Sequence, residues 1–169
     1  MRDFIVTFIC TGNMCRSPMA EGILKDMVID EAEKHHTIIP IMITSAGTHA
    51  AMGGPASHTA VKVMNSHGIN LNYHLSKPIT ESIVRNSDLI ITMERNHTEI
   101  IKRQWPFCTW MYELKNFAQE VPVQPFEVDI FDPIGMGQEI YEEVFDELYK
   151  ELSRVKDIIF AMVREKSGN

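Results

Sequence analysis

The hydrophobic positions of the chain fall into two alternating patterns. Short continuous apolar runs recur at Phe4–Cys10 (FIVTFIC), in IIPIMITSAGT ending near Ser45, at Asp88–Met93 (DLIITM) and in CTWMYEL. Runs of this length, rich in β-branched and aromatic residues, predict strands buried on both faces. Between them, apolar residues return at helical spacing. Met19, Ala20, Ile23, Leu24 and Met27 predict a first helix, opened by Ser17, Pro18 and Glu21. Pro55 leads into a second helix through Val61 and Met64, closed at Gly68. RNHTEIIKRQW predicts a third, ended by Pro106. Ile140, Val144, Phe145, Leu148, Leu152, Val155, Ile159 and Met162 share one face and predict a long last helix. The stretch before it carries Pro122, Pro125 and Pro133 and is expected to be irregular.

Alternation of strand and helix predicts the α/β class. The expected architecture is a single three-layer domain over residues 1–169, a four-stranded parallel sheet with helices on both faces. Ligands of such sheets gather at the carboxyl ends of the strands, where the strand order reverses.

Composition narrows the function classes. The chain has 169 residues, enough for one domain with a real core. No stretch approaches the ~18 apolar residues of a membrane span, and Phe4–Cys10 reads as a strand rather than a signal peptide. A formal charge of −7 argues against nucleic acid or an anionic membrane as a partner. Three cysteines, Cys10, Cys15 and Cys108, suit free thiols in a cytoplasmic location. The seven histidines are scattered, without His-Glu-x-x-His or paired-cysteine spacing, so no metal and no cofactor is expected.

Candidate chemistry lies where the first strand gives way to the first helix, in CTGNMCRS, Cys10–Ser17. A loop between a buried strand and a helix start turns its N–H groups inward and makes an anion site of backbone. Gly12 is expected to supply a φ > 0 turn, and Asn13 tolerates a left-handed backbone. Arg16 offers a planar fork for two oxygens of a phosphate. A surface arginine is the alternative, but a helix start opposes a positive charge. Cys10, at the foot of the loop, is expected to lose its proton readily and act as a nucleophile. Its alternative is a buried core cysteine.

Cys-x5-Arg-Ser resembles the phosphate-binding loop of cysteine-dependent phosphatases. With CTGNMCRSPMAE near the N-terminus, followed by TSAGT, HGIN, HLSKPIT, DLIITM and DPIG in that order, the chain is similar to the low-molecular-weight protein tyrosine phosphatases. That family includes the bacterial protein-arginine phosphatases. The resemblance spans nearly the whole chain. It implies a flavodoxin-like fold and hydrolysis of a phosphorylated protein or small phosphomonoester through a phosphoryl-cysteine, releasing inorganic phosphate. Thr11, Gly12, Asn13, Met14 and Cys15 would form the phosphate loop. It implies that Ser17 donates to the Cys10 sulfur and that Ser45 and His74 support the loop from beneath. It makes Asp132, in a Pro-rich arm, the general acid, with Asp129 as the rival. It also implies a reversible Cys10–Cys15 disulfide, against which stands a Cys15 that only packs.

Three features bear on the leaving group. Met14 stands where the arginine phosphatases have threonine. Asp132-Pro133 is followed by Ile134, Gly135, Met136 and Gly137, where tyrosine phosphatases place aromatic residues. The facing wall has Ala50, Ala51 and Met52, with His49 and Tyr141 nearby in sequence. Phosphotyrosine is the first expectation and phosphoarginine the second. An arsenate reductase would need two further downstream cysteines, and only Cys108 remains. An inactive phosphate-binding module would not need Cys10, Arg16 and Asp132 together.

Overall fold

β1 (Phe4–Cys10) is the strand around which the others are arranged in this computed structural model, which describes residues 2–168. Its side chains alternate: Phe4, Val6, Phe8 and Cys10 enter one core and Ile9 the other. β2 (Ile41–Gly47), β3 (Leu89–Thr92) and β4 (Met111–Glu113) join it in the order β2-β1-β3-β4, all parallel. This is the expected four-stranded sheet in a flavodoxin-like order.

α1 (Arg16–His35), α2 (His58–Ser66) and α5 (Gln138–Ser167) cover one face. They supply Met19, Ile23, Val63, Met64, Leu148 and Leu152 to its core. α3 (Glu81–Asn86) and α4 (Arg95–Gln104) cover the other with Val84 and Ile101. The hydrophobic pattern does not announce α3, because six residues are too few to display a helical period. Its one local signal is Thr80, whose hydroxyl accepts from the Ile83 N–H as a cap. β2 begins at Ile41, after Pro40, and runs past Ser45, because pairing with β1 continues to Cys10 opposite Gly47. In α5 the buried place expected for Met162 is shared: Val163 is buried and Met162 half-buried.

The crossover from β2 to β3 passes over β1, so the carboxyl ends of β1 and β3 lie side by side at the reversal of strand order. The Met93 N–H bonds Ile9 O at 2.9 Å, fastening the two exits together. The loop after β1 and the first turn of α4 therefore meet. Among the described residues no helix is long and apolar enough to cross a membrane.

Candidate active site

The loop leaving β1 bends at Asn13, whose φ is 53°. Gly12 does not take the positive φ expected of it; the left-handed residue is the asparagine one place later. The loop lies directly on the end of β2. A Cβ at Gly47 would stand 2.4 Å from Thr11 O and 2.9 Å from Asn13 N, so only glycine lets the loop rest there.

Asn13 then staples the loop with its own side chain. Its Nδ2 donates to Ser17 Oγ and to Ser45 Oγ, each at 2.9 Å. Its Oδ1 accepts from Lys77 N at 2.9 Å, and its carbonyl from His74 Nε2 at 2.7 Å. Ser45 Oγ donates in turn to Glu21 Oε2 at 2.5 Å. Ser17 Oγ accepts from Asn13 and lies 2.9 Å from the Cys10 sulfur and 3.5 Å from Ala46 O, the two partners open to its own proton. The Asn13 N–H also reaches that sulfur at 3.2 Å. Asn13, Ser17, Ser45 and His74 thus come together under Cys10.

Around the thiol the loop is rich in donors. Among the described residues nothing accepts from the N–H groups of Gly12, Met14 or Cys15. Arg16 is the largest fully buried side chain, 1% exposed, and not a surface arginine. Its Nη1 pairs with Glu94 and donates to Ile130 O at 2.9 Å; its Nη2 meets Asp132 Oδ2 at 2.9 Å. Its Nε is buried with no partner among the described residues. A buried cation at a helix start is costly unless paired, and these two carboxylates pair it. A sulfur, loop N–H groups without acceptors and an unpaired guanidinium N–H are the parts from which a receptacle for a tetrahedral anion is made.

The two candidate acids separate. Asp132 is partly exposed, 39% at its side chain, and faces Arg16; its Oδ1 accepts from Ile134 N at 3.2 Å. Asp129 points elsewhere, accepting from the Arg95 N–H at 2.8 Å. The Pro-rich arm is not loose at its root. Val128, Ile130 and Pro133 are buried, and Ile130 N bonds Met93 O at 2.8 Å.

Cys15 is buried, its Sγ 3.4 Å from Ser57 Oγ and 3.3 Å from Tyr141 OH. Burial pushes its thiol up, and burial with the Cys15 hydrogen bond pushes Tyr141 up to about 12. Tyr141, near the site in sequence, is buried and supports Cys15 and Ser57. Cys10, Cys15 and Cys108 are all free thiols. Of the residues flanking these loops in sequence, Met52, Ile134 and Met136 are exposed, while Met14 is half-buried against the core. His49 is exposed, and its N–H bonds Thr11 O at 2.9 Å. Among the described residues no group of His, Cys, Asp or Glu converges as a metal site.

Two residues of the site go unnoticed in the sequence. Glu94 is the first residue after β3 and its adjoining Met93, at the sheet end where ligands gather, which is the signal that could have found it. His97 is fully buried, and its Nε2 shares a 2.9 Å hydrogen bond with Thr11 Oγ1. Burial, then the Arg16 charge, lowers it to about 4, so it is neutral beside the arginine at ordinary pH.

A sequence model of the family described as low molecular weight phosphotyrosine protein phosphatase matches residues 5–167. The chain is 36% identical to a protein-arginine-phosphatase of Bacillus subtilis over 85% of its own length and 88% of the relative's. It is 32% identical to the probable low molecular weight protein-tyrosine-phosphatase AmsI of Erwinia amylovora, covering 83% and 86%. Its structure resembles that of the YwlE arginine phosphatase of Geobacillus stearothermophilus with a TM-score of 0.81, at 28% identity over 96% of each chain.

Proposed function

We propose the following function from the premise that the chain belongs to the low molecular weight phosphotyrosine protein phosphatase family. It is a phosphoric monoester hydrolase that works on phosphorylated protein or a small phosphomonoester and releases inorganic phosphate. The whole chain, residues 1–169, acts as one phosphatase domain, in the cytoplasm. The observation that carries the reading is the buried Arg16 guanidinium with an unpaired Nε, in the same loop as the buried Cys10 thiol.

In this mechanism the Cys10 sulfur attacks phosphorus and the P–O bond to the leaving group breaks. Thr11, Gly12, Asn13, Met14 and Cys15 surround the phosphoryl oxygens, and the N–H groups of Gly12, Met14 and Cys15 donate to them. Arg16 follows their charge into the transition state. Asp132 gives its proton to the departing oxygen, then activates water against the phosphoryl-cysteine. Ser17 donates to the sulfur, which stabilises it as it leaves in the second step. Asn13, Ser45 and His74 keep the loop in the shape these steps need.

Phosphotyrosine is the first substrate. Met14, Met52, Ile134 and Met136 offer an apolar rim for a phenol ring, and methionine adapts to flat partners. Phosphoarginine is the second reading, favoured by the likeness to protein-arginine-phosphatases. Phosphate release from matched phosphotyrosine and phosphoarginine peptides, with chelator present, decides between them. Faster release from phosphotyrosine supports the first reading, and the reverse preference replaces it. Release from neither overturns both protein substrates and leaves a small phosphomonoester as the substrate class.

A further inference from the structure

The first turn of α4 touches both halves of the site. Its N-cap, Glu94, makes no capping bond, because its carboxylate is spent on Arg16. The next N–H, that of Arg95, is instead taken by Asp129 from the acid arm at 2.8 Å. Two residues on, His97 holds Thr11 of the phosphate loop. The arm is fastened at the same point from two other sides. Lys115 Nζ donates to Asp129 O at 2.9 Å while paired with Glu147 of α5, and Ile130 O accepts from Arg16 Nη1 at 2.9 Å. Asp132 lies only three residues beyond Asp129. With the backbone of residues 129 and 130 fixed, few torsions remain between that anchor and the Asp132 carboxylate.

From this geometry we propose that Asp129 is a positioning residue for Asp132. It serves as a borrowed cap of α4, and the cap locks the register of the acid arm against the helix that also holds Arg16 and Thr11. The proposal rests on the phosphatase reading above. Asp129 touches no reacting atom. Its carboxylate sets where the proton donor stands, because a donor displaced by an ångström loses much of its effect.

The test uses the full chain and a series of aryl phosphates, from phenyl phosphate to dinitrophenyl phosphate. The variants are Asp129→Ala, Asp129→Asn and Asp132→Ala, alone and combined. Asp129→Ala is expected to slow kcat on phenyl phosphate by about 10- to 100-fold, part of the usual yield of a general acid. Dinitrophenyl phosphate, whose leaving group needs no proton, should change by less than about threefold on the same grounds. Asp129→Asn retains an oxygen for the Arg95 N–H and should recover most of the rate. In an Asp132→Ala background, Asp129→Ala should cost nothing further, since two residues acting through one step are not additive. An equal loss on all esters, an additive loss, or an Asn variant no better than Ala overturns the positioning role. Wild-type turnover of dinitrophenyl phosphate is the control. Without it the phosphatase reading falls and this proposal with it; with it, the other outcomes judge Asp129 alone.

Discussion

The phosphate loop and the acid arm meet at Arg16, yet they are built in opposite ways. The first is contiguous in sequence and largely stapled by its own Asn13, whose side chain reaches Ser17, Ser45 and Lys77 N. The second has no regular structure. It is held by bonds from the segments just after β3 and β4 and from the start of α4: Met93 O, Lys115 Nζ and Arg95 N. A self-stapled loop should fail as a unit when its own residues change. A guyed arm should fail by degrees, as each support is cut.

The largest effect should fall in the phosphate loop. Cys10→Ser is expected to lower kcat by about 10⁴-fold or more, as loss of a nucleophile does, with vanadate binding kept in calorimetry. Surviving turnover would break the comparison at its first term. Arg16→Lys should cost about 10²- to 10³-fold in kcat, because an ammonium cannot span Glu94, Ile130 O and Asp132 at once. Asp132→Ala should cost about 10²-fold for phenyl phosphate and little for an acidic leaving group. A uniform loss would show that the arm does not supply the proton.

Two smaller effects sharpen the contrast through stability. Asn13→Ala should destabilise by about 3 kcal/mol in urea unfolding, since buried Ser17 and Ser45 and the half-buried Lys77 N–H lose a bond and a non-glycine residue keeps φ 53°. Asn13→Gly, relieved of the backbone strain, should lose less. His97 gives the pH term. Its ordinary value of 6.5 falls to about 4 in the fold, so the unfolded chain takes up the proton first as pH drops. Stability should be full above 6.5 and decline by about 3 kcal/mol as pH falls to about 4. His97→Gln, which can still bond Thr11, should flatten that decline in denaturant melts between those pH values.

The same difference decides what could be read from the letters alone. The sheet, the long last helix and the loop residues Cys10 to Ser17 are local patterns, and local patterns carry their own geometry. Ser45 and His74, distant in sequence, entered only through resemblance, and the fold brings both to Asn13. Glu94 and His97 were silent because nothing in ERNHTE marks one side chain as buried against an arginine and another against a threonine. Gly12 misled for a related reason. A glycine advertises positive φ, but the chain spends that conformation on Asn13, where a side chain can be used as well. Tyr141 lies nine residues past Asp132 and the sequence marks it only as near; one helical turn into α5 buries it at Cys15.

Gly47 carries a consequence for how such a protein can change. With Thr11 O over its Cα and no room for a methyl group, the loop bears on the sheet as on an anvil. An arriving anion meets a surface that does not recoil. The arm beyond Asp132 has no such backing: Ile134, Gly135, Met136 and Gly137 are exposed. Inheritance can therefore work on the two sides at different rates. Substitutions in the exposed rim can retune which ester is accepted while the struck face beneath stays as it was.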